Sequence, residues 1–121
     1  MRSLRSRTAR LVLAGALSAM TVMAAIPADA AGPRVDMTEG NQNDANTWKY
    51  APADITVKAG TAVVWTNKGQ QPHTVSANDS SFDSGTMKGG AVWEHRFDAP
   101  GEFPYVCAFH PQMTGVVRVT G

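Results

Sequence analysis

Cys107 is the only cysteine in the 121-residue chain, and it is followed at even spacing by His110 and Met113 in the run YVCAFHPQMTG. A thiol, an imidazole and a thioether are three metal donors of graded softness. The residues leading to Cys107 (EFPYVC) read as one strand and those from Gly115 (GVVRVT) as another. The three donors therefore fall in a tight loop with its two ends held by a sheet. A fourth donor has to come from elsewhere, and His73 and His95 are the only other histidines. His73 follows Pro72 at the start of a strand, just after a loop, where a side chain can lean over the end of a sandwich. His95 lies mid-strand in AVWEHRF, on the same face as Trp93 and Phe97, and belongs more naturally in the wall. His73 is the expected ligand and His95 a packing residue.

Taken singly, a loop methionine is usually filler, a loop histidine solvated and a buried cysteine inert. Taken together, two imidazoles, one thiolate and a weaker thioether match copper in a trigonal His2Cys arrangement with a long axial Met bond. Zinc accepts Cys and His but has little use for a thioether.

Placing these donors requires a scaffold, and the composition bounds it. MRSLRSRTAR carries four arginines and no acid, and is followed by sixteen mostly apolar residues and then PADAAG. Residues 1–30 are read as a signal peptide cut after Ala28-Asp29-Ala30, because the apolar run is short for a membrane span. The remaining 91 residues hold seven Lys+Arg against nine Asp+Glu. That balance marks neither a nucleic-acid binder nor a protein that attaches to anionic membranes. An exported domain of this size often needs disulfides or a metal to supplement its core. One cysteine makes no internal disulfide, and a lone thiol in an oxidising compartment is a liability unless something holds it.

Residues 31–46 are polar and aperiodic and are expected as a flexible lead with one short strand near Val35–Met37. The folded domain is then expected over 47–121. DITVK, TAVVWTN, HTVSAN, AVWEHRF, EFPYVC and GVVRVT read as strands, with Gly, Pro, Ser and Asp breakers between them. No stretch shows a helical period. An all-β sandwich or small barrel follows, with Trp65 and the Trp93/Phe97 pair as large core fillers. Asn67, in WTN, is placed to brace the ligand loops.

With these motifs in hand, YVCAFHPQMTGVVRV, PHTV and ITVKAGTAVVWTN resemble the small type-1 (blue) copper proteins of the plastocyanin/azurin, or cupredoxin, superfamily, and within it the amicyanin-like members. The resemblance spans Trp48 to Thr120. It implies a Greek-key β-sandwich in a single domain, with one copper ion at one end held by His73, Cys107, His110 and Met113. It also implies an electron carrier rather than an enzyme, cycling between Cu(II) and Cu(I). The protein is expected to be an exported monomer of the periplasm or cell-surface space, with no membrane insertion after signal cleavage. Redox proteins are expected to dock transiently near His110: a c-type cytochrome, an amine dehydrogenase or another copper enzyme. Phe109, Pro111, Pro72 and Met87 are the residues read as an apolar rim around that histidine. One departure stands out. Amicyanin-like loops commonly carry proline just before the second histidine, and here the residue is Phe109, which retains an N–H that proline lacks.

A copper storage or delivery module is the competing reading, and it would release the metal to a chelator more readily. A binuclear copper site needs two cysteines. No Ser-His-Asp or paired-carboxylate arrangement supports hydrolysis.

Overall fold

Side chains alternate between the two faces of a strand, and that alternation orders eight strands here. The structure is a computed structural model that describes residues 32–121; the expected signal peptide lies outside the described residues. The strands are β1 (Arg34–Asn41), β2 (Asp44–Ala51), β3 (Asp54–Lys58), β4 (Thr61–Asn67), β5 (Ser76–Ala77), β6 (Val92–Phe97), β7 (Gly101–Val106) and β8 (Thr114–Thr120). They form two four-stranded sheets, ordered β2-β1-β4-β6 and β3-β8-β7-β5. No helix occurs among the described residues. The all-β sandwich read from the sequence is the architecture observed.

The expectation of a flexible lead over residues 31–46 is corrected. β1 lies inside the first sheet, antiparallel to β2 and parallel to β4. Val35 and Met37 point into the core and are fully buried. The apolar half of the alternation is only two residues long, because the next inward position is Glu39. That brevity made β1 read as only a short strand near Val35–Met37 and hid β2 beside it.

HTVSAN is the second correction, since only Ser76 and Ala77 pair as a strand. The preceding N–H groups go elsewhere. Thr74 N–H is turned to the Cys107 sulfur at 3.4 Å, and Val75 N–H donates to Ser84 Oγ at 2.8 Å. His73 keeps one isolated bridge, to Met87. The chain leaves the ladder at the point where it approaches Cys107.

The core centres on Trp65, which is fully buried. Its indole N–H donates to Tyr105 Oη at 3.2 Å, and its ring meets Trp93, Phe97 and Tyr105 at centroid distances of 5.4, 6.2 and 5.6 Å. A buried aromatic of this kind contributes roughly 2 kcal/mol through the apolar surface it removes from water. Phe97 is buried, whereas Trp93 is only partly so. Tyr105 lies over Gly115, where its ring leaves no room for a Cβ. Gly115 therefore lets β8 leave the Cys107–Met113 loop close beneath the core.

His95 sits in the wall, as its strand position implied. Its ring stacks on Trp93 at 5.4 Å and 9°, and lies 4.9 Å from both Phe82 and Phe97. This apolar setting lowers its pKa below the ordinary 6.5 by desolvation, against a small opposing pull from Asp98. Because the folded value is the lower one, the neutral ring's contribution is complete above about pH 6.5. It is lost as pH falls from there through the folded value. His95→Phe should flatten the stability profile over that mildly acidic window, as measured by denaturant midpoints at stepped pH. An unchanged pH dependence would show that other groups govern it.

Candidate metal centre

Three backbone bonds close the loop after β7. Cys107 N–H donates to Met113 O at 3.1 Å, His110 N–H to Cys107 O at 3.2 Å, and Met113 N–H to His110 O at 2.9 Å. These turns place Cys107 and His110 on one side of the loop, facing the segment that follows Pro72. Thr74 fastens the two segments together, since Ala108 N–H donates to its hydroxyl at 2.8 Å. Its own carbonyl accepts from the Tyr50 hydroxyl.

The donor atoms then converge. Cys107 Sγ lies 3.7 Å from His73 Nδ1 and 3.6 Å from His110 Nδ1, and the two nitrogens are 3.2 Å apart. A point equidistant from three atoms on such edges lies about 2 Å from each, the length of a metal–nitrogen bond. His73 and Cys107 are fully buried, while His110 is partly exposed. Among the described residues this is the one group of three His, Cys or acidic side chains close enough to hold a metal ion. His95 stands outside it. Met113, the fourth expected donor, is buried at the loop's end, with its carbonyl on Cys107 N–H.

Electrostatics favour a thiolate. Burial alone would raise the Cys107 pKa. Hydrogen bonds from His73, from the Thr74 and Phe109 N–H groups and from His110 outweigh that and bring it down from 9.0 to about 6. Phe109, where the resembling proteins commonly have proline, keeps a backbone N–H that contributes to this lowering. His73 moves upward: burial pulls it down, but Cys107 and Glu39 together prevail.

Asn67 is the brace expected from its position. It is buried, and its amide nitrogen donates to Gln71 O at 2.8 Å and Met87 O at 2.9 Å, while its oxygen accepts from Gly69 N–H at 2.9 Å. Met87 is itself buried and does not extend the exposed rim. That rim consists of Phe109, at 50% exposure, with Pro72 and Pro111.

Two residues that the sequence reading passed over also reach the centre. Trp48 sets its ring edge-on to His110 at 4.6 Å and to His73 at 5.7 Å, with its indole N–H tied to Asn41 O at 2.8 Å. Glu39 Oε1 lies 3.0 Å from His73 Nε2. Gln112 adds a third link to the β1–β2 hairpin, donating to Ala45 O at 3.0 Å. The available signal was the inward phase of Val35, Met37 and Glu39, which carries an acid onto a core face.

Comparison with known proteins agrees with this geometry. The cupredoxin-like domain family matches residues 12–119. The chain belongs to the cupredoxins. It is 30% identical over 115 residues to amicyanin-alpha of Methylorubrum extorquens, covering 90% of this chain and 97% of that one. The fold is similar to that of a purple cupredoxin from Nitrosopumilus maritimus, with a TM-score of 0.67, 30% identity and coverage of 73% of this chain and 99% of that one. It is also similar to a variant of amicyanin in its Cu(I) form, with a TM-score of 0.62, 26% identity and coverage of 74% and 82%.

In the metal-free cupredoxin, the ultraviolet absorbance of the Cys107 thiolate should titrate with a midpoint near 6. His73→Ala should move that midpoint upward by removing the strongest stabilising bond to the sulfur. A midpoint in the ordinary thiol range for the unsubstituted protein would mean that these donors do not act on it.

Proposed function

We propose that this cupredoxin is a small exported copper protein that shuttles single electrons between redox partners, with His73, Cys107, His110 and Met113 as the ligands of one type-1 copper ion. The observation that carries the reading is the triangle of one thiolate sulfur and two imidazole nitrogens with edges of 3.2–3.7 Å. Its size and its S/N donor set fit copper in a trigonal plane. A bound copper supplies the chemistry, a one-electron change between Cu(II) and Cu(I).

The chain's residues make that change fast by keeping the donors still. Cys107 and His110 are set by the three-bond loop. His73 is buried between Trp48 and Glu39. Asn67 clamps the segment before His73 to the loop at Met87. Donors held in this way need little rearrangement between oxidation states. Met113, buried at the end of the same loop, would give the metal its thioether sulfur as a weaker fourth donor.

His110 is the partly exposed ligand and serves as the electron port. Phe109 beside it, with Pro72 and Pro111, provides an apolar surface suited to brief docking with redox proteins. A c-type cytochrome, an amine dehydrogenase or another copper enzyme fits that role. Residues 1–30 are assigned as a cleaved signal peptide directing the chain to the periplasm or cell-surface space, where residues 31–121 act as a monomer.

Cu(II) added to the metal-free domain should produce an intense visible thiolate-to-copper band and a narrow copper hyperfine splitting by EPR. Repeated reduction and oxidation should leave the metal in place in the presence of a chelator. A colourless product, or copper lost at each reduction, would overturn the reading.

The Phe109 N–H gives a second test. A bond to the sulfur stabilises the more negative thiolate of the reduced state, so its removal favours the oxidised one. Phe109→Pro should lower the reduction potential, by at most roughly 40 mV, the one-electron equivalent of a whole hydrogen bond worth about 1 kcal/mol. An unchanged or higher potential in protein-film voltammetry would count against this role.

A further inference from the structure

Glu39 is an acid at an inward-facing position, third in the series Val35, Met37, Glu39 on β1. Its side chain is 2% exposed. A carboxylate buried to that degree is strongly unfavourable unless it is fully hydrogen-bonded, and this one is. Gln71 N–H donates to it at 2.8 Å, Gln70 N–H is shared between both oxygens at 3.1 Å each, and His73 Nε2 lies at 3.0 Å. Gly69 lies against the carboxylate, with no room for a Cβ, so a side chain there would push the group away. Both oxygens accept from backbone N–H groups, which is the role of a carboxylate anion.

The consequence falls on the imidazole. A carboxylate only accepts hydrogen bonds, so Nε2 must carry a proton, and once a metal displaces the Nδ1 proton that bonds the sulfur, Nδ1 is the atom that gives its lone pair. Nδ1 is the atom 3.7 Å from Cys107 Sγ and 3.2 Å from His110 Nδ1. We propose that Glu39 is the positioning residue of the metal centre: through its contacts with His73 Nε2 and the Gln70 and Gln71 amides it selects the ring tautomer, fixes the ring's orientation and ties the donor segment to β1. Its negative charge, passed through the imidazole, also makes Nδ1 a stronger donor and favours the oxidised over the reduced centre.

The effect on potential rests on the copper reading above, while the tautomer assignment does not. In Zn(II)-loaded protein, which is diamagnetic and does not cycle, the His73 Nε2–H proton should exchange slowly by NMR. Glu39→Ala should abolish that protection. With copper, Glu39→Gln retains an acceptor of similar shape without the charge and should shift the reduction potential upward, with the type-1 EPR pattern kept. Glu39→Ala should release copper to a chelator at least about tenfold faster, and Glu39→Asp should recover part of the loss. Unchanged Nε2–H protection in Glu39→Ala, or a potential in Glu39→Gln equal to or below that of the unsubstituted protein, would overturn the proposal. A protein that shows the protected proton with Zn(II) but cannot cycle copper would remove the electron-carrier reading while supporting the assignment of Glu39.

Discussion

A sulfur and two imidazole nitrogens are held within 3.7 Å of one another, and what keeps their lone pairs from repelling is a proton or a metal cation shared among them. The fold supplies the means to hold them there. Thr74 aims its N–H at the sulfur, Glu39 faces the far nitrogen of His73, and Trp48 sets its ring edge against both imidazoles. Each of these contacts offsets part of the cost of confining electron-rich atoms together. A metal ion bound by the same donors offsets the remainder, so the arrangement favours the filled site.

The two sheets divide this work. The strands β7 and β8 close the Cys107–Met113 loop through local bonds and keep it beside the β5 end of their sheet. The other sheet brings the hairpin of β1 and β2, on which Glu39 and Trp48 are cross-strand partners. The hairpin therefore reaches His73 and His110 from the opposite wall. Trp65 and Tyr105 lie between the sheets beneath the site and are hydrogen-bonded to each other. A wall tied across its core in this way is stiff, and stiffness in the donors is what electron transfer requires.

Much of the site was legible from local cues. The lone thiol with its spacing from His110 and Met113 is one local run, and Pro72-His73 before a short strand is another. His95 was separated from the converging donors by its shared phase with Trp93 and Phe97, and its stacked ring agrees. The misreadings share one origin. β1 and β2 carry polar residues among few apolar ones, and β1 owes its place to parallel pairing with β4 (Val35 opposite Trp65, Met37 opposite Asn67). Met87 was read as rim because its loop is rich in glycine and polar residues, yet its bridge to His73 draws it inside.

By itself, the sequence determined the kinds of donor, the order in which they occur and the period-two pattern that commits the chain to strands. Those properties depend on residue type and near neighbours. Only the tertiary structure decided which nitrogen of His73 faces the sulfur, and that an acid from the first strand stands behind that ring. Glu39 and His73 are 34 residues apart, as are His73 and Cys107. Such pairs meet only when strands distant in sequence pair and the two sheets close on a shared core, and no local propensity encodes that meeting.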